Sequence, residues 1–174
     1  MKISDVEKFT GTPNYKVNVP WSSIDLNLEL YDVNVDPDFQ RGHVWSEEQQ
    51  ISYIEFRIRG GMSGREIYIN SPRIHGKGLS DEGVLVDGKQ RITAVQKFMK
   101  GELPIFGGYF INDFEDAVSQ FRGLTYDFVF AINNLQHRSE VLKWYIELNS
   151  GGVLHTKEEI ARVTSLLEEE MTKS

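Results

Sequence analysis

Residues 84–94 of this chain read VLVDGKQRITA, and this stretch decides the fold. The apolar run 84–86 predicts a buried strand, and Gly88 marks the start of a helix whose apolar stripe includes Ile92 and Val95. A strand that runs directly into a helix presents unpaired backbone N–H groups and the positive end of a helix dipole at one point. We therefore expect an anion site at this junction, most favourably for phosphate.

Each polar residue of the DGKQR motif has a role in such a site. Gly88 lets the backbone come close to a ligand, while Lys89 and Arg91 add positive charge beside it. Gln90 can hydrogen-bond a base, a sugar or a water molecule, and Asp87 can hold Mg²⁺ through an oxygen. The simpler interpretation is that Asp87 caps the helix and both cations are solvated. The residues alone leave both interpretations open.

The segment 36–45, DPDFQRGHVW, lies just before a second predicted helix. Gln40 and Arg41 are candidates for phosphate contact, Arg41 because its guanidinium group is planar and always charged. His43 is a candidate for proton transfer, although a lone histidine is more often a structural hydrogen-bonding residue. The two aromatic residues in the segment, Phe39 and Trp45, are expected to be core anchors rather than platforms for a base.

The segment 147–156, ELNSGGVLHT, joins two predicted helices. The end of one helix and the capped start of the next explain its glycines. They do not explain Asn149, Ser150 or His155, which can line a site if this segment folds over it. His155 is the second candidate for proton transfer.

Strands and helices alternate only loosely along the rest of the chain. Residues 21–31 carry apolar side chains at every second position from Ile24 to Leu30, which predicts a strand, with a helical turn as the alternative. Ser46 and Gln49 have the spacing of a capping box at the start of a helix. Further strands are predicted over 67–70 and 126–132, and further helices over 113–121, 136–148 and 160–171. The expected fold class is α+β, with a small mixed sheet and flanking helices.

Length, composition and charge exclude several classes of protein. At 174 residues, one domain is expected, with residues 1–20 as a loosely held segment before a domain over 21–174. Cysteine is absent, which excludes disulfides and cysteine-ligated zinc, and no apolar run approaches the roughly 18 residues of a membrane span. The start of the chain is too polar for a signal peptide, so we expect a cytoplasmic protein. The net charge of −7 disfavours broad binding to DNA.

Three motifs, FQRxxVW at 39–45, VDGKQRITAV at 86–95 and LNSGG at 148–152, occur in this order. Together they resemble the N-terminal domain of GmrSD-type modification-dependent restriction enzymes, which belongs to the broader ParB/sulfiredoxin-like group. The resemblance covers about residues 36–167 and implies a ParB/sulfiredoxin-like single domain that binds and hydrolyses a nucleoside triphosphate through its DGQQR motif.

The resemblance also assigns residues to the nucleotide site. It adds Gly151 to the candidates and places the following residues at the nucleotide: Gln40, Arg41, Gly88, Lys89, Arg91, Asn149, Ser150 and Gly151. Lys89 stands where the family has its first Gln, which adds charge for phosphate but removes a side chain that can orient water. The chain contains no nuclease domain and no cysteine, so neither DNA cleavage by a separate module nor sulfinic acid repair is implied.

The resulting expectation is a nucleoside triphosphate-binding domain, with weak NTPase activity as an extension. Asp87 then holds Mg²⁺ or another divalent cation, Gln90 orients water, and His43 or His155 transfers a proton. One alternative is a non-enzymatic nucleotide-sensing or anti-restriction module that binds a host or phage protein. Another is a ParB-like DNA-binding or nicking protein. Compact members of the family resemble phage-encoded proteins, which implies a location in the host cytoplasm.

Overall fold

A computed structural model describes residues 15–40, 42, 44–72, 82–150 and 157–172. The strands are β1 (Tyr15–Pro20), β2 (Val33–Asn34), β3 (Glu66–Asn70), β4 (Gly83–Asp87) and β5 (Asp127–Asn133). The α-helices are α1 (Ile24–Leu30), α2 (Glu47–Ile58), α3 (Lys89–Met99), α4 (Ala117–Arg122), α5 (Arg138–Ser150) and α6 (Lys157–Thr172). None of these helices has the length and apolar character needed to cross a bilayer.

The five strands form one mixed sheet in the order β1-β5-β3-β4-β2. The β1–β5 and β3–β4 pairs are antiparallel, whereas β5–β3 and β4–β2 are parallel. Tyr68 of β3 lies opposite Asp87, the last residue of β4, next to an irregularity in the register. The α+β class with a small mixed sheet and flanking helices is therefore confirmed.

Helices cover both faces of the sheet. Ile67, Ile69 and Leu85 face a large core that includes residues of α1, α2, α3 and α4. Val86, the neighbour of Leu85, belongs instead to a smaller core with Phe39 and residues of α5 and α6. The strand β4 is thus buried from both sides, which explains its unbroken apolar sequence. Phe39 is a core residue, as the sequence predicted.

The predicted strand over 21–31 is wrong, and the helical alternative is right. Trp21–Ser23 forms a single 3-10 turn, and Ile24–Leu30 forms α1. Only Ile24 and Leu28 are buried, while Leu26 and Leu30 are 66% and 73% exposed. Burial at a spacing of four residues is the pattern of a helix. The strand was predicted because the two exposed leucines, together with the two buried residues, place an apolar side chain at every second position.

The expectation of a loosely held segment over 1–20 is also wrong for its last six residues. Tyr15–Pro20 forms β1, which pairs along its whole length with β5. Val19 of this strand lies in the main core. Tyr15, Val17 and Val19 alternate with polar residues, so a local strand pattern was present and was overlooked. Residues 1–14 lie outside the described part of the chain.

The other predicted elements agree with the structure, with one division. Ser46 and Gln49 make the predicted capping box of α2. The helix expected over 113–121 is split into a 3-10 turn, Ile111–Asp113, and α4. Phe114 between them has an extended backbone and lies against the Tyr109 ring, with the ring centroids 6.0 Å apart.

Candidate functional site

The junction of β4 and α3 has the geometry that the sequence predicted. Gly88 lies between them with a φ of 113°, and the first helical hydrogen bond runs from the Ile92 N–H to the Gly88 carbonyl. No side chain caps the helix at Gly88, and its first turn contains no acidic residue. The N–H groups of a first helical turn have no acceptor within their own helix. The first turn of α3 therefore adds no negative charge at the positive end of the helix dipole.

The structure gives a packing reason for the glycine at this point. Gly88 is buried, and a Cβ atom placed on it would lie 2.4 Å from Cδ1 of Ile67. Its positive φ is also a conformation that other residues adopt at a cost. The positive φ and the close approach of the Ile67 side chain therefore both favour glycine here, whether or not a ligand approaches.

Both basic residues of the motif lie against a carboxylate. Nη2 of Arg91 is 2.5 Å from Oδ2 of Asp87, and the Lys89 ammonium group contacts the Asp36 carboxylate. The side chains of Lys89 and Arg91 are only 14% and 18% exposed, so neither is a freely solvated cation. The simpler interpretation is therefore wrong about solvated cations, and the Asp87 carboxylate, which it assigned to a cap, pairs with Arg91.

Gln90 joins the motif to the segment before α2. Its Oε1 accepts hydrogen bonds from the N–H groups of Val44 and Trp45, at 3.0 and 3.1 Å, and its Nε2 donates to the Gly42 carbonyl at 3.2 Å. All three bonds go to the backbone of one short segment. Gln90 is thus placed as a positioning residue, which holds that segment beside the start of α3.

Gln40 makes a second link between the two motifs. Its Nε2 donates to the Leu85 carbonyl of β4 at 2.7 Å, beyond the short stretch where β2 pairs with that strand. Two motifs separated by some forty-five residues therefore form one structural unit.

Sequence reasoning did not identify the two arginines that hold this unit from the other side. Nη2 of Arg138, on α5, donates to both carboxylate oxygens of Asp38, Oδ1 at 2.9 Å and Oδ2 at 2.8 Å. Arg162 of α6 donates to the carbonyl groups of Asp38 and Phe39, at 3.1 and 2.6 Å. Both arginines follow the segment by a hundred residues or more, so no local motif reveals them.

The third motif is only partly described. Asn149 is buried on α5, where its Nδ2 donates to the Tyr145 carbonyl at 2.7 Å. That bond is internal to the helix, so Asn149 stays a predicted rather than a located ligand contact. Several other predicted site residues or side chains lie outside the described part of the chain: Arg41, His43, the Ser150 side chain, Gly151 and His155.

A row of polar side chains on β3 continues from the junction. The Tyr68 hydroxyl donates to Oε2 of Glu66 at 2.5 Å, and Lys16 contacts the other Glu66 oxygen at 2.5 Å. The hydrogen bonds from Lys16 and Tyr68 lower the pKa of Glu66. Burial, followed by the hydrogen bond to Glu66, raises the pKa of Tyr68, and the nearby Asp87 carboxylate acts in the same direction.

The donor set at the junction suits only one kind of metal site. The described residues include no group of three or more metal-ligating side chains. Asp87 immediately precedes Gly88 in the chain, and one of its carboxylate oxygens already accepts from Arg91. A Mg²⁺ ion that takes most of its ligands from phosphate and water needs only one or two protein carboxylates. Asp87 can provide that one carboxylate. The described residues at the junction do not provide enough ligands for a metal site built wholly from protein groups.

Comparisons of the chain with protein-family models, with curated proteins and with solved structures found no match. The interpretation of the site therefore depends on its own geometry and on the three motifs.

Proposed function

We propose that this domain binds a nucleoside triphosphate at the β4–α3 junction. The observation that carries the proposal is the start of α3, which has no side-chain cap and no acid in its first turn. Lys89 and Arg91 stand in that same turn. Backbone donors and two cations at one helix N-terminus are the combination that favours a phosphate group.

The carboxylates beside the cations are part of this proposal. Asp36 and Asp87 hold Lys89 and Arg91 close to the helix start. A bound triphosphate would take over part of both pairings, and Asp87 would then be available to a Mg²⁺ ion carried by the phosphates. The ion would neutralise phosphate charge, while Gln90 and Gln40 keep the neighbouring segment in place.

The resemblance to GmrSD-type N-terminal domains supports the choice of a nucleotide over other anions, and with it a ParB/sulfiredoxin-like assignment for the fold. Turnover is a separate matter. Lys89 stands where that family has a Gln, and the amide group of Gln90 is engaged with the backbone of Gly42, Val44 and Trp45. These observations favour a nucleotide-binding module over an NTPase.

The test compares binding to variants at the two ends of α3. We expect ATP or GTP with Mg²⁺ to raise the melting temperature of the wild-type protein and to give a saturable calorimetric signal. Lys89→Met should weaken binding by about tenfold, the effect of losing one charged contact to phosphate. Lys100→Met removes the same charge beyond the other end of the helix and should leave affinity unchanged. Equal losses in the two variants would contradict a site at the junction.

Hydrolysis is measured on the same samples as phosphate release, with Asp87→Asn as the comparison. Binding without release identifies a nucleotide-binding module. Release that disappears in Asp87→Asn, while the nucleotide still binds, identifies an NTPase that depends on this carboxylate.

A further inference from the structure

A separate cavity lies between α4 and the C-terminal end of α2. Its volume is about 270 Å³. The residues that line it are Ile58, Phe114, Asp116, Gln120, Phe121 and Tyr126. Pockets for drug-sized ligands span roughly 300–1,000 Å³, so this cavity is suited to a single side chain or a small molecule rather than to a nucleotide.

Half of the lining residues are aromatic. Phe121 and Tyr126 are in contact, with ring centroids 4.9 Å apart and planes inclined by 39°. Phe114 provides the third ring. Aromatic rings attract organic cations through the negative charge of their faces. The protein already shows such a contact near this region, where the Arg59 guanidinium lies 5.0 Å from the centroid of the Phe106 ring.

The single charged residue in the lining is Asp116, whose backbone carbonyl accepts hydrogen bonds from the first turn of α4. It occupies the N-cap position of α4, where an aspartate usually accepts a hydrogen bond from the helix backbone, yet its side chain makes no cap. Within the described residues its carboxylate has no ion pair, and no basic side chain lines the cavity. The lining thus combines one exposed carboxylate with three aromatic rings.

We propose that this cavity binds an organic cation, a guanidinium or alkylammonium group with an apolar stem. The rings would contact the stem and the cationic head, and Asp116 would pair with the charge. The net charge of −7 favours the approach of such a ligand over that of an anion. The site is distinct from the β4–α3 junction, which is suited to the opposite charge.

The test is a titration followed by ¹H–¹⁵N NMR with three probes. The α-amino group of every probe is acetylated, so that arginine amide is a free cation through its guanidinium group alone, acetyl-Ala-Arg-Ala-amide is the same cation in a peptide, and citrulline amide is a neutral analogue of nearly the same shape. We expect saturable shifts in residues 114–126 with both cations and at least about fivefold weaker binding of citrulline amide. Tighter binding of the peptide than of arginine amide assigns the cation to a protein partner, and equal binding assigns it to a free small molecule.

Two matched variants separate the site from the general charge of the protein. Asp116→Asn should weaken the binding of arginine amide by about fivefold. Glu115→Gln removes the same charge from a neighbouring residue outside the lining and should leave the affinity nearly unchanged. Phe114→Leu keeps an apolar side chain and tests the ring, with a loss of about threefold expected. Unchanged spectra away from the cavity establish that each variant is folded. Citrulline binding as tight as that of arginine, equal effects of the two charge variants, or no saturable shift would overturn the proposal.

Discussion

Helices α2 and α3 begin next to each other, but their N-termini are completed in opposite ways. At α2 the Ser46 hydroxyl accepts from the Gln49 N–H, and the Gln49 side chain accepts from the Ser46 N–H, so the sequence itself provides the cap. At α3 the N-cap is Gly88, which has no side chain to offer. A helix capped by its own residues has little left for a ligand, whereas the N-cap residue of α3 contributes no side-chain acceptor.

The first turns of the two helices also differ in their acidic residues. The first turn of α2 contains Glu47 and Glu48, and that of α3 contains no acid. A hydrogen bond with Ser46, and after it one with its own backbone N–H, lowers the pKa of Glu48. The positive end of α2 is therefore occupied by a carboxylate of the same chain. Every helix has a dipole, so the dipole alone does not distinguish the two helix starts. The difference that matters for an anion is whether the sequence caps the helix start with its own side chains.

The largest effect is expected from adding one methyl group at the start of α3. Gly88→Ala places a Cβ within 2.4 Å of Cδ1 of Ile67 and forces a non-glycine residue to a φ of 113°. We expect a loss of about 2–4 kcal/mol in the free energy of unfolding, measured by urea denaturation. Gly42→Ala is the control, since no atom lies within 4 Å of its Cβ position.

A double variant divides this effect into its two causes. Ile67→Val removes the Cδ1 atom that the new methyl group meets. If steric overlap dominates, Gly88→Ala should cost less in the Ile67→Val background than in the wild type. An identical cost in both backgrounds would instead attribute the loss to the backbone conformation.

The next largest effect concerns the link between the two helix starts. Gln90→Ala leaves the N–H groups of Val44 and Trp45 without their acceptor, and we expect a loss of about 2 kcal/mol in unfolding free energy. Gln96→Ala on the same helix is the matched control. Its side chain makes one exposed bond, to Asp25, and should cost about 0.5 kcal/mol. Similar losses in both variants would show that Gln90 does not hold the segment.

Removing the cap of α2 should have a smaller effect. Ser46→Ala is expected to cost about 1 kcal/mol in thermal or chemical unfolding. It should also raise the pKa of Glu48 towards its ordinary value, which an NMR titration measures. A carboxyl group whose pKa is lowered by folding stabilises the folded state above its unfolded pKa, and this stabilisation is lost as the pH falls through the folded pKa. The variant lacks this contribution, so its free energy of unfolding should fall less in acid than that of the wild type. An unchanged pKa of Glu48 in the variant would show that the Ser46 side chain does not cause the lowered pKa.

The smallest change in stability is expected at the carboxylate beside Lys89. The Asp36 side chain is 72% exposed, so Asp36→Asn should alter the unfolding free energy by less than about 0.5 kcal/mol. It removes negative charge next to the proposed phosphate site and should therefore tighten triphosphate binding by about twofold. Weaker binding in this variant would indicate that Asp36 contacts the ligand through a metal or a hydroxyl group.

The sequence predicts both helix starts because their signals are local. A serine three residues before a glutamine, and a glycine after an apolar strand, need no knowledge of distant residues. The partners of Gln90, Gln40 and Lys89 lie about forty-five or more residues away, so their engagement was not visible in the motif. The sequence named these three residues as candidates, whereas their contacts required the fold.

The misread element has a different cause. Ile24, Leu26, Leu28 and Leu30 satisfy the spacing of a strand and, in part, the spacing of a helix. Only contact with the core decides which of them are buried. Burial of Ile24 and Leu28 alone selects the helix.

The placement of β5 between β1 and β3 has a consequence for how the protein folds. Tyr15 at one end of the chain pairs with Ile132, and β3 also finds its parallel partner only in β5. A ribosome delivers α2 and α3 long before it delivers β5, so these helices can associate while β1 and β3 still lack their shared neighbour. Pairing across such separations is slow and leaves strand edges open to other chains. The rate-limiting event of folding is therefore expected to be the arrival and docking of this one strand.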